Sequence, residues 1–134
     1  MKLIANIAGA LLGLAFLFAS LMVLLNMAPE QPPPPEGSYA ALFMGAFAPS
    51  GYLHFVKVCE LLGGVLVLIP KTRGAGLLLL GPIIVNILAF HMFIMDGEGM
   101  TDPMLLGIIV LALICLIAEG RALMRFAFKV GADA

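Results

Sequence analysis

The chain has 134 residues and a mean hydropathy of +1.15; 63% of its residues are hydrophobic and only 11% are charged. A soluble domain carries about a quarter of its residues as charges, so the composition excludes a soluble globular protein and leaves a single-domain integral membrane protein spanning residues 1–134. The net charge of −1 carries no information until the charges are placed, and no nucleic-acid partner is expected.

Four apolar segments follow one another, at about 3–27, 52–69, 75–95 and 104–120. Each approaches the roughly 17–25 residues that a helix needs to cross the hydrocarbon. Unpaired backbone groups are costly in lipid and no period-2 alternation is present, so the sequence predicts an all-α, integral membrane four-helix bundle rather than a barrel. The first segment contains Gly9 and Gly13, a small-xxx-small pair that allows another helix to approach. Only Lys2 precedes it, and it exceeds a usual signal-peptide core, so it is read as a retained span.

A loop follows that opens with 29-PEQPPPPEG-37. Four consecutive prolines favour a stiff polyproline II stretch, a rigid spacer in preference to a docking site for a proline-reading partner. In 38-SYAALFMGAFAPSGY-52, Ser38 is placed to cap a short helix ending before Pro49. That helix is too short to span. It is expected to lie in the interface of the first outer loop, either as a lid over the bundle or simply resting among headgroups.

The second segment carries 54-HFVKVCELLGG-64. A Lys in mid-membrane costs about 2.5–3.5 kcal/mol on insertion scales, so such a group pairs or faces a cavity. Lys57 and Glu60 are at i and i+3, with His54 one turn outward and Gly64 one turn inward. This stripe is expected to face the bundle interior. Pro70 ends the segment. In the third, Pro82 is expected to kink the helix. From the helical rise, Lys57 and His91 lie about 8 Å from the outer end, Glu60 about 12 Å and Asn86 about 15 Å. Ser20 and Asn26 of the first segment fall in the same half. Asn86 and His91 are about 140° apart around their helix, so both cannot point at one centre. Asp102 and Pro103 provide a cap and first turn for the fourth segment. Beyond it, Arg121, Arg125 and Lys129 recur every four residues in a basic cytoplasmic tail, 121–134, read as a helical surface anchor.

Six of the seven basic residues fall before the first segment, between the second and third, or after the fourth. The loops 28–51 and 96–103 hold Glu30, Glu36, Asp96, Glu98 and Asp102 and no Lys or Arg. By the positive-inside rule both termini are cytoplasmic. Cys59 and Cys115 are read as small buried hydrophobes, with no C-x-x-C to suggest redox chemistry. The acids of 96-DGEGMTD-102 fit a solvated turn better than a cation loop, and no metal is assigned. A haem held by His54 and His91, and a transporter, both rank below the readings that follow.

Two readings of the polar cluster compete. In one, Lys57 and Glu60 form a buried pair, satisfied by Asn86 or His91, that fixes helix register. In the other, Lys57, Glu60, Asn86, His91 and His54 line a pocket open to the outer leaflet. That pocket binds the polar head of a lipophilic molecule, with the tail among Phe and Met side chains of the third helix.

The ordered set K-x-x-E-x-x-G-G at Lys57, Glu60, Gly63 and Gly64, the basic turn from Pro70 to Arg73, and 82-PIIVNILAFHMF-93 resembles the DoxX-like family of small bacterial membrane proteins. The resemblance is carried by Gly51 to Ile94; the first and last segments match in hydropathy only. It implies a four-helix bundle in the bacterial cytoplasmic (inner) membrane and a link to membrane oxidoreductase complexes. Small subunits of thiosulfate:quinone oxidoreductase are among the family. Lys57, Glu60, Asn86 and His91 match the pattern. The resemblance points to a bound quinone as the candidate cofactor, and to membrane lipids with a protein partner or a second copy as partners. No self-contained catalytic motif or dinucleotide fingerprint is present, so the chain is at most a subunit of an oxidoreductase. The alternative is a non-catalytic scaffold or accessory subunit of a larger membrane complex.

Overall fold

The computed structural model describes residues 1–132, so the last two residues of the basic tail lie outside it. The described residues form α1 (Lys2–Leu24), α2 (Tyr39–Phe47), α3 (Tyr52–Leu68), a 3-10 turn (Pro70–Thr72), α4 (Arg73–Ala89), a π-helical turn (Phe90–Ile94) and α5 (Pro103–Ala132), with no strand among them. Three helical stretches are long and apolar enough to cross a membrane: α1, the run 70–94, and α5. α2 and α3 qualify as one broken span, bent by 79° at the residues between them. The chain is therefore an all-helical membrane protein with three or four candidate spans.

Local chemistry sets the element ends. Ser38 caps α2, its Oγ accepting from the Ala41 N–H at 3.2 Å. Asp102 caps α5, with Oδ1 accepting from the Met104 N–H at 2.8 Å. Asn26 closes α1 in the left-handed region, φ 55°. Gly51, at φ 86°, turns the chain between α2 and α3. The proline run between α1 and α2 has no regular hydrogen-bonded structure and is largely exposed. The fourth segment and the basic stretch form one continuous helix, in line with the helical extension expected there.

α3 packs between α1 and α4, and α5 closes against α1 and α4. Leu12, Phe16, Val67, Leu80 and Cys115 form the centre. The opposite faces carry large exposed apolar side chains, such as Leu3, Ile7, Leu11, Leu14 and Phe18 along α1. An apolar stripe of that length suits lipid rather than water.

The α1–α3 crossing is made by backbone. A Cβ on Gly13 would sit 2.7 Å from the Gly64 carbonyl oxygen, and one on Gly64 would sit 3.0 Å from the Gly13 oxygen. Gly63, next to it, turns towards α4, where a Cβ would meet Leu80 Cδ2 at 2.5 Å. The Gly-Gly pair thus serves two neighbours at once, which is how small residues let helices associate in lipid.

Candidate functional site

α2, α3, α4 and the π turn border an open-sided cavity of about 910 Å³ at the end of the bundle away from the other six basic residues. Lys57, Glu60, Asn86 and His91 all line it. Asn86 and His91 share the cavity despite their angular offset because it follows two adjacent stripes of α4, one through Pro82 and Asn86, the other through Ile83, Ile87 and His91. α4 runs through Pro82 as a continuous helix. Its departure from α geometry comes later, in the π turn, where Met95 N–H bonds back five residues to Phe90 O at 3.0 Å.

His54 is corrected by the structure: it is exposed and is not among the lining residues. Each step of three residues falls about 60° short of a full turn, so His54 lies about 120° around α3 from Glu60. The pairing of His54 with His91 across one site falls with it. Ser20 is fully buried but bonds within its own helix, to Phe16 O at 2.6 Å, and Asn26 lies in the turn that ends α1. Neither lines the cavity. The apolar wall is only partly the one expected. Phe90 and Phe93 of the third segment line it as anticipated, but Phe43 and Phe47 of α2 and Phe55 of α3 join them, and no methionine among the described residues does. Phe43 packs against Phe90 in a tilted arrangement, with ring centroids 5.0 Å apart and the planes 52° from parallel, which brings α2 over the π turn.

Lys57 Nζ donates to Glu60 Oε2 at 2.8 Å. Glu60 is 4% exposed, whereas 18% of the Lys57 side chain is exposed. Both lie on α3, so their pair cannot fix that helix against a neighbour. Nor do the polar groups of α4 complete it. Asn86 Nδ2 donates to Pro82 O at 2.8 Å, and His91 Nδ1 bonds to Ile87 O at 2.8 Å. The register-fixing form of the ion pair, satisfied by Asn86 or His91, is therefore contradicted. The second Glu60 oxygen has no hydrogen-bond partner among the described residues, yet no buried side-chain oxygen or nitrogen among them is left unpartnered. That oxygen is accordingly open to the cavity.

The tautomer of His91 follows from its partner. A carbonyl only accepts, so Nδ1 carries the proton and donates to Ile87, and in the neutral ring Nε2 is an acceptor. Gly99, at φ 80°, lies against that edge of the ring; a Cβ there would come within 3.3 Å of Nε2. The cavity is thus lined by an ammonium donor, a carboxylate acceptor and an imidazole, together with phenyl rings.

A second polar cluster, absent from the expectations, lies at the opposite end. By position in the chain Arg73 counts with the loop charges, but it is 3% exposed. Its Nη2 donates to Asn6 Oδ1 at 3.1 Å, its Nε donates to Val67 O at 3.4 Å, and its Nη1 lies 3.6 Å from Glu119 Oε1. This network ties α1, α3, α4 and α5 together. The guanidinium occupies the space where Gly9 lacks a side chain. The Gly9/Gly13 pair is thereby accounted for: Gly13 admits the α3 backbone and Gly9 admits Arg73. The signal in the sequence was the coincidence of an Arg at a helix start with a Glu in the last apolar segment.

The chain matches no known family model, no curated protein and no solved structure.

Proposed function

We propose that the chain is a DoxX-like, four-span protein of the bacterial cytoplasmic membrane, with both termini cytoplasmic and α2 lying in the outer interface as the roof of the cavity. In this reading the cavity binds the polar head of a lipophilic molecule of the quinone class. The chain then acts as the quinone-binding subunit of a membrane redox complex, with electrons supplied by a partner protein.

The observation that carries the proposal is the half-satisfied Lys57–Glu60 pair opening into an aromatic-walled cavity. Its volume of about 910 Å³ falls in the usual range for ligand sites. A quinone needs a donor for its carbonyl, which Lys57 provides. The corresponding quinol needs an acceptor for its hydroxyl, which the open oxygen of Glu60 provides. The scaffold reading keeps one specific observation, the exposed proline run, as its docking element.

The chain has two tyrosines and no tryptophan. Tyr52 lines the cavity, and Tyr39 is 72% exposed on α2. In a Tyr39→Phe background, a short-tailed ubiquinone analogue is expected to quench Tyr52 fluorescence saturably. Glu60→Gln keeps the fold because the carbonyl of the new amide still accepts from Lys57, but it removes the open anionic acceptor. It should weaken binding of the reduced analogue about tenfold or more. Non-saturating quenching, or equal affinity in a folded Glu60→Gln variant, would count against the cavity as the binding site.

A further inference from the structure

The Arg73 network borders a second cavity, of about 640 Å³, between the start of α1 and the middle of α5. Lys2, Asn6, Arg73, Glu119 and Arg121 line it, with Ile117 on its flank. We propose that this cavity is a binding site for the phosphodiester headgroup of an anionic phospholipid.

Three features support a built site rather than a merely basic surface. First, the charges do not balance: three basic side chains face the single carboxylate of Glu119. Second, that carboxylate does not satisfy Arg73. At 3.6 Å the contact is an ion pair but too long for a hydrogen bond. Arg73 uses only Nε and Nη2 in hydrogen bonds, so Nη1 keeps its donors. Since no enclosed side-chain nitrogen among the described residues is unpartnered, Nη1 reaches the cavity. A guanidinium that is almost wholly buried, held in place by Asn6, Val67 and the gap at Gly9, therefore presents a fixed donor pair to an entering oxyanion. Guanidinium groups favour phosphate oxygens in this way. Third, the surroundings suit a lipid. Lys2 and Arg121 are exposed at the mouth, while Ile117, 70% exposed, continues the wall onto the apolar face of α5. The headgroup enters among the cations and the acyl chains follow α1 and α5 outward. Basic pockets between transmembrane helices take anionic headgroups by this chemistry. The proposal is independent of the aromatic cavity at the other end.

The test is retention of lipid by the full chain in detergent, read by native mass spectrometry after exchange with phosphatidylglycerol or phosphatidylcholine. Wild type is expected to retain phosphatidylglycerol at least about tenfold better. Lys2→Gln with Arg121→Gln removes two mouth charges at exposed positions and should cut that retention roughly thirtyfold. Arg125→Gln with Lys129→Gln makes the same charge change outside the cavity and should leave it intact. Equal retention of the two lipids overturns the proposal. Equal losses in the two paired variants also overturn it, because they mean general surface attraction. Displacement of the lipid by millimolar inorganic phosphate overturns the lipid assignment in favour of a soluble anion.

Discussion

Lys57→Met is expected to destabilise the protein by about 3 kcal/mol, the low end for breaking a buried pair, because it leaves the Glu60 carboxylate, open only towards the cavity, without its counter-ion. The second change, Glu60→Met, should then recover most of the loss. Removing both charges removes the desolvation penalty along with the attraction, and exchanging a buried pair for apolar groups is often neutral or better. Both variants can be followed by thermal unfolding in detergent. The pattern separates two roles for the pair. If the fold needed the ion pair, the double variant would remain as unstable as the single one. If the pair serves the cavity, the double variant is stable but does not bind the quinone analogue. The geometry favours the second outcome, since both residues belong to α3 and no neighbouring helix among the described residues bonds to either.

The α1–α3 crossing gives the other large effect. Gly13→Val places its first carbon in a space bounded by the Gly64 carbonyl and the Leu68 backbone nitrogen, at 2.7 and 3.1 Å. Backbone atoms cannot rotate away, so the two helices must separate. Over-packing usually costs about 1–3 kcal/mol, and this site should lie at or above the top of that range. Gly107→Ala is the matching control, because a Cβ there meets nothing within 4 Å. It should leave the melting temperature unchanged or slightly raised. Equal losses in the two variants would mean that helix flexibility, and not the close approach, is what these glycines provide.

The helical segments are legible in the sequence because lipid imposes a simple demand. A stretch of apolar residues long enough to cross must satisfy its own backbone, and only a helix does so here. The ends are equally readable where side chains cap them, at Ser38 and at Asp102 with Pro103. The pairing of Lys57 with Glu60 is legible because it is local to one helix. Hidden features depend on which way each helix is rotated. Counted in turns, His54 shares a stripe with Glu60, but the cumulative angular lag turns it outward. Arg73 reads as a loop charge because charge counting locates a basic residue along the chain without showing whether it faces solvent. Its burial needs Gly9, Asn6 and Glu119, which are far apart in sequence and meet only once the helices pack. The aromatic wall is hidden for a related reason. α2 is expected at the interface, but nothing local specifies that Phe43 packs against Phe90 and covers the π turn.

This division of polar groups gives the two ends of the bundle different roles. At the basic end, Arg73 bridges helices and lies beneath exposed cations. At the other end, the ion pair holds nothing together and faces open space. A membrane protein that keeps a charged pair there without structural need is expected to use it on a ligand.

The most direct test is native mass spectrometry of the protein released gently from its own membrane, with wild type compared to Glu60→Gln. A bound mass matching a quinone is expected on wild type, much reduced on the folded variant. A stoichiometric protein partner with no small molecule on either form would contradict quinone binding at the Lys57–Glu60 cavity, and so would a quinone retained equally by both.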